Sequence, residues 1–260
     1  MVRPVETAIP FLHRAGLKLT LEPTTATIAR TDGPGPSVPS AAVVAALVDC
    51  ATGLALLEEH EFGYTATTEL QVHLTGARAE GSLLRAHSRP QRLRRRSAVL
   101  ASEVVDEHGT LVAVGRASFE HLGEAAAGRA SAALSRGVPP DPQPPGENLD
   151  LAAAVATTWD GAELRAELDP DLANPAGNLS GPAIAVVAAR AALRAVEGLI
   201  VDPVVVSLGI SFLAAVRGTV AIAAPTVIGR FGSLVLVDVH LTAGERSTVW
   251  AQAQLAPAAP

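Results

Sequence analysis

The chain is poor in the residues that cross-link folds or build reactive centres. Its 260 residues hold a single cysteine, Cys50, which excludes an intrachain disulfide and a thiolate cage for zinc. Aromatic residues make up only 3%, so a core must be built from Ala, Val, Leu and Ile. Positive charge is also short, with 20 Lys and Arg against 26 Asp and Glu, a formal net charge of -6. That balance argues against a general nucleic-acid binder, which needs a basic surface to release counterions. The opening residues Met1-Val2-Arg3-Pro4-Val5-Glu6-Thr7 lack the apolar core of a signal peptide. The longest apolar stretches, 41–57 and 182–196, fall short of the ~20 residues of a membrane span. No Gly-x-Ser-x-Gly elbow and no Ser-His-Asp arrangement is evident, and the histidines scatter. The expectation is a soluble, cytoplasmic protein with no metal, redox cofactor, nucleic-acid or membrane partner.

What is present is a repeat. The first half carries Pro39-Ser40-Ala41-Ala42-Val43-Val44-Ala45-Ala46-Leu47-Val48-Asp49, and the second carries Leu179-Ser180-Gly181-Pro182-Ala183-Ile184-Ala185-Val186-Val187-Ala188-Ala189. With Ser40 laid on Ser180, Asp49 falls on Ala189 and Asn174 falls on Pro34. Each copy keeps a polar group that the other has lost, which suggests one composite site shared between two similar domains.

The chain length allows two domains of roughly 100–130 residues. The expected division is 1–122, a linker rich in Ala, Gly, Ser and Pro at 123–147, and 148–260. Each half is expected to run as a short amphipathic helix (10–17, 149–156), a strand (17–28, 162–168), a Pro/Gly loop (31–39, 169–178), a long apolar helix and three strands. The three strands match as Leu70–Leu74 with Leu208–Phe212, Ser97–Val104 with Ser233–His240, and Leu111–Phe119 with Thr248–Leu255. A helix apolar on every side has to be enclosed. The expected fold class is therefore α+β, two units in which an antiparallel sheet wraps around a helix, paired about a pseudo-twofold axis.

Ser40–Asp49, the strand Thr65-Ala66-Thr67-Thr68-Glu69-Leu70-Gln71-Val72, and Val105-Asp106-Glu107-His108-Gly109-Thr110-Leu111-Val112-Ala113 together resemble hotdog-fold acyl-CoA thioesterases of the phenylacetate-pathway (PaaI-like) type, here in a tandem double-hotdog form. The resemblance covers about nine-tenths of the chain, once per half, and rests on the order and spacing of weak motifs. In that family a His-Gly-Gly opens the central helix and an acid follows nine residues after the His. This chain departs from it: Ser40-Ala41-Ala42 and Ser180-Gly181-Pro182 replace the His-Gly-Gly, and the second helix has no acid.

The resemblance implies hydrolysis of an acyl-CoA thioester to a free acid and CoA, with CoA present only as part of the substrate. Asp49 is the only residue charged at neutral pH between Ala41 and Leu57. Burying an unpaired carboxylate costs several kcal/mol, so an acid there needs partners or a task. The task would be general-base activation of water or direct attack on the carbonyl; the competing reading rolls Asp49 toward a loop, where it is solvated. Asn174 and Gly181 are implied as the pair contributed by the opposite domain. Gly181 would offer a helix N-terminal N–H as an oxyanion donor. Against this, Asn174-Pro175 is also a common turn and Gly a tolerated helix start.

Thr67, eighteen residues beyond Asp49, is implied as the group orienting the water or the acid, although Thr also simply suits a strand. Its counterpart is Val205. Ser40 and Ser180 read as helix caps, with Ser40 also a candidate contact to substrate. Arg92, Arg94, Arg95 and Arg96 precede the strand at Ser97. Arg forks suit the phosphates of CoA, the alternative being a solvated turn. Cys50 reads as a small buried hydrophobe, His73 as able to face inward, and Arg190 and Arg194 as structural. The rival functions are a non-catalytic acyl-CoA or acyl-chain binder and, more remotely, a hydratase, which would need a His near the helix start. A homodimer of double units is expected, since hotdog units often pair through their sheets.

Overall fold

The computed structural model describes residues 4–5, 17–20, 25–29, 37–58, 65–122, 151, 155–174 and 177–258. The linker at 123–147 and most of both short leading helices lie outside these residues. Thirteen strands form one antiparallel sheet. They are β1 (Pro4–Val5), β2 (Lys18–Thr20), β3 (Thr25–Ala29), β4 (Thr65–Leu74), β5 (Leu83–Arg94), β6 (Ser97–Asp106) and β7 (Leu111–His121) in the first half. The second half supplies β8 (Thr157–Asp160), β9 (Glu163–Glu167), β10 (Pro203–Phe212), β11 (Val220–Phe231), β12 (Leu234–Ala243) and β13 (Arg246–Pro257). The helices are α1 (Ala41–Glu58) and α2 (Gly181–Ala195).

The strand order β1-β2-β3-β5-β6-β7-β4-β10-β13-β12-β11-β9-β8 is a near-palindrome centred on β4 and β10. At that junction Leu70 pairs with Ile210, Gln71 with Gly209 and Val72 with Leu208. The matching bulges at Thr67/Glu69 and Val205/Ser207 make Leu70 equivalent to Leu208 and Gln71 to Gly209, the alignment read from the repeat. The expected pseudo-twofold is thus built into one continuous sheet. Both helices lie against it and pack against each other.

The sheet contains more strands than the repeat predicts. Four strands, not three, follow each helix, the extra ones being β5 and β11. Both escape period-2 reading because only their first halves alternate: the last six residues of each are exposed. Each also carries a proline, Pro90 or Pro225, just before a bulge. The strand expected over 17–28 is a hairpin of β2 and β3, and the one over 162–168 is the second arm of a β8–β9 hairpin.

Helix α1 forms because its run of Ala and Leu is strongly helix-favouring, and Ser40 O accepts the N–H of Val44 at 3.0 Å to start it. Its core side chains Val44, Leu47, Val48, Ala51 and Leu54 are 0–2% exposed. Full burial of one such Val or Leu is worth roughly 1.5–3 kcal/mol. The helix sits close on the sheet at one point: a Cβ on Gly115 of β7 would lie 2.6 Å from Val48 Cγ2 and 2.7 Å from Cγ1. The missing side chain sets the depth of the helix residue that precedes Asp49.

Helix α2 opens at Ser180 with Pro182 in its first turn, where the absent N–H costs nothing. Arg190 Nη1 donates to Val155 O and Thr157 Oγ1, both at 2.8 Å. Arg194 lies over Trp159 at 5.5 Å and pairs with Glu197. Both arginines are structural, as their spacing suggests. The turn at Glu107-His108-Gly109 is tied by Asp106, whose carboxylate accepts the N–H groups of Glu80, His108 and Thr110 at 2.8–2.9 Å. Among the described residues no helix is long and apolar enough to cross a membrane.

Candidate active site

Three residues from three elements meet where α1 passes the start of α2. Asp49 comes from the middle of α1 and Thr67 from β4. Thr67 Oγ1 donates to Asp49 Oδ1 at 3.0 Å. The β4–β7 ladder slips between Thr67 and Glu69, and a bulge of this kind re-aims a side chain. The second half repeats the slip between Val205 and Ser207, but there the side chain is apolar.

The other carboxylate oxygen faces the opposite domain. A Cβ built on Gly181 would stand 2.6 Å from Asp49 Oδ2 and 3.2 Å from its Cγ. No side chain fits between them, so glycine at the first residue of α2 is what lets the carboxylate reach this helix terminus. The cross-domain pair implied by the resemblance is therefore in contact. Asp49 is partly exposed within an aliphatic surround. Burial raises its pKa to about 6, and the Thr67 hydrogen bond acts in the opposite direction. The acid is neither rolled into a loop nor free in solvent.

The N-terminal turn of α2 is short of committed donors. The N–H of Ser180 donates to Leu172 O and that of Ile184 to Ser180 O, each at 3.0 Å. Pro182 has none, which leaves Gly181 and Ala183 as the backbone donors of the turn. Ser180 is 1% exposed, and its side chain makes no capping hydrogen bond to the helix. Its Oγ has no hydrogen-bond partner, so the expected cap is absent. Leaving a hydroxyl buried and unpaired costs about 1–3 kcal/mol.

The symmetry-related position is apolar. Ala189 and Val205 stand where Asp49 and Thr67 stand in the other half, and both are buried, at 5% and 7% exposure. Ala41 takes the place of Gly181. Ser40, equivalent to Ser180, is exposed and joins none of these contacts.

Each of the remaining candidates has its own setting. Asn174 lies in the loop that runs into α2. Its Oδ1 accepts the N–H of Asn178 at 3.1 Å, its own N–H donates to Asn178 O at 2.7 Å, and Arg217 Nε donates to Asn178 Oδ1 at 2.6 Å. The turn reading of Asn174-Pro175 thus describes its backbone, and its carbonyl oxygen is engaged within its own loop. Arg92 and Arg94 do not precede a strand as a turn; they belong to β5, while Arg95 and Arg96 form the tight turn to β6. All four are exposed. Register places that turn at the same level of the sheet as the reactive cluster, since Thr67 pairs with Phe119, Phe119 with Ala98 and Ala98 with Leu93. Three strand spacings separate them, about 14 Å.

Cys50 is half-buried and packs against the core; burial, and secondarily Asp49, pushes its thiol well above the usual range, which disfavours the thiolate. His73 does not face inward: it is exposed, and its Nδ1 meets Ser207 Oγ at 2.9 Å. No group of three or more potential metal ligands occurs among the described residues.

Comparison with known proteins bears on the fold. Residues 40–113 match the family described as "Thioesterase superfamily", a segment that contains both Asp49 and Thr67. No curated protein sequence matches the chain. Among solved structures, the TesB protein of Mycobacterium avium subsp. paratuberculosis is similar with a TM-score of 0.65 at 9% identity, over 94% of this chain and 97% of that one. The acyl-CoA thioesterase II TesB2 of Mycobacterium marinum gives 0.59 at 12% identity, covering 96% and 98%. A conserved protein of unknown function with a hot dog fold from Alicyclobacillus acidocaldarius gives 0.56 at 13% identity, again over 96% and 98%. The chain has the tandem double-hotdog fold, and within its first half residues 40–113 are similar to the thioesterase superfamily. Two of these three structures bear TesB names, whereas the sequence resemblance was to the PaaI-like branch.

Proposed function

We propose that this tandem hotdog chain is an acyl-CoA thioesterase with a single composite site between its two domains. The observation that carries the reading is the contact of Asp49 Oδ2 with Gly181 across the domain boundary, with Thr67 holding Oδ1. A carboxylate with a pKa near 6 is ionised at neutral pH and basic enough to take a proton from water.

The thioester carbonyl is placed against the start of α2, where the Gly181 N–H and the helix dipole favour the developing negative charge. Water attacks the carbonyl carbon as its proton passes to Asp49. The C–O bond forms, the C–S bond breaks, and the departing CoA thiolate takes the proton back. Direct attack by Asp49, through an anhydride that water then opens, uses the same geometry. Thr67 fixes the carboxylate rotamer. Asn174 and Ser40 are the remaining candidates for contact with the substrate. Arg94, Arg95 and Arg96 provide charge for the phosphates of CoA. The chemistry needs no metal or redox cofactor, and the working unit is a cytoplasmic homodimer of double-hotdog chains, with domains at 1–122 and 148–260.

A panel of acyl-CoA esters with free-thiol detection tests this reading, run on the wild type and on Asp49→Asn. Turnover by the wild type and its loss in the variant support it. Thermal stabilisation by acyl-CoA without turnover would support the rival, a non-catalytic acyl-CoA binder. The engagement of Asn174 Oδ1 with its own loop is the observation that favours that rival.

A further inference from the structure

We propose that the Ser180 hydroxyl is a catalytic residue of this site, the second donor to the thioester carbonyl oxygen beside the Gly181 N–H. The inference rests on the thioesterase reading and extends it to a residue that the sequence had marked only as a cap.

An oxyanion is held by two converging donors, and a helix start ordinarily supplies both from consecutive N–H groups. This one cannot, because Pro182 follows Gly181 and has no N–H. The N–H consecutive to that of Gly181 is therefore missing, and a side-chain donor beside Gly181 can take its place. Ser180 immediately precedes Gly181, and standard covalent geometry keeps its Oγ within about 5 Å of the Gly181 nitrogen. The residue is 1% exposed, the hydroxyl makes no cap bond, and it has no partner. Buried hydroxyls are nearly always paired, so an unpaired one at a reactive centre is poised for a group that arrives with substrate.

The other half of the molecule supplies the contrast. Ser40 occupies the equivalent helix start opposite Ala189 and is exposed. Two serines at equivalent positions thus differ in burial, and the buried one lies on the side that kept the acid.

The test compares wild type, Ser180→Ala, Ser180→Gly and Asp49→Asn as full chains, using the acyl-CoA ester that the wild type hydrolyses fastest. The expected result for Ser180→Ala is a kcat about 10²–10³-fold lower, a KM little changed, and a Tm unchanged or higher, since an unpaired hydroxyl is removed. Ser180→Gly, a tolerated residue at a helix start, should lose kcat to the same extent. A lower Tm with unchanged kcat would identify a merely structural serine and overturn the assignment. Wild-type kcat in both Ser180 variants, with Asp49→Asn inactive, would overturn the Ser180 role while leaving the thioesterase reading intact. No hydrolysis of any ester by the wild type, or full activity in Asp49→Asn, would end both.

Discussion

Asp49 Oδ2 and Gly181 stand so close that a methyl group on the glycine would lie 2.6 Å from the carboxylate oxygen. The two residues are 132 positions apart (181 − 49), one in each half of the repeat. A glycine needed for contact rather than for a turn has a specific consequence. Gly181→Ala must displace the carboxylate by an ångström or so, and such a misplacement costs on the order of 10²-fold in rate. Turnover should fall by about that factor while circular dichroism and Tm stay near wild type. Full activity in this variant would remove Gly181 from the site.

The acid limb of the rate profile follows from the environment of Asp49. Its ionised form is the base, so kcat/KM should fall below an apparent pKa of about 6. The Thr67 hydrogen bond favours the ionised form. Thr67→Val should therefore move the acid limb to higher pH as well as slow turnover. A limb left in place would show that Thr67 does not hold the carboxylate in solution.

The same shift has a stability side, and its sign is opposite to that of a salt-bridged acid. The folded pKa is about 6 against a reference of 3.8, so folding favours the protonated form. The stabilising contribution is fully present below about 3.8, and it is lost as pH rises through about 6. Asp49→Asn should flatten this component of the Tm-versus-pH curve between those values. An unchanged slope would place the carboxyl in a less buried setting.

Gly115 makes a mechanical prediction. A Cβ there would press on both methyls of Val48, the neighbour of Asp49. Gly115→Ala should destabilise the fold by about 1–3 kcal/mol, the usual range for overpacking, seen as a lower denaturation midpoint with unchanged m-value.

Much of this was legible in the chain, and the losses have physical causes. The repeat alignment placed Leu70 on Leu208 and Asp49 on Ala189 because side-chain volume along the central strands and helices is dictated by the core. The pairing of β4 with β10 follows that alignment. Strands β5 and β11 were missed because their outer halves run past the helices and bury nothing, so no alternation marks them; the arginines of β5 accordingly read as loop. Asp49 stood out because an acid in an apolar helix and a complementary gap in its twin leave a trace, whereas Thr67 and Gly181 were picked out through the family resemblance. The burial of Ser180 and the close approach at Gly115 left none, since both depend on how elements pack rather than on local pattern.

The arginine turn offers a substrate-level check. If Arg95 and Arg96 meet the phosphates of CoA, Arg95→Ala/Arg96→Ala should raise KM for acyl-CoA, and more at low salt than at high salt. KM for the same acyl group on a short uncharged thiol should not change. An equal effect on both substrates would take these arginines out of CoA recognition.

The most direct measurement is the rate of thiol release from acyl-CoA by Asp49→Asn beside wild type at pH 7.5, with Tm recorded for both. A loss of about 10²–10⁴-fold in a variant that melts no lower than wild type is the predicted result. Equal rates in the two proteins would contradict a site built on Asp49.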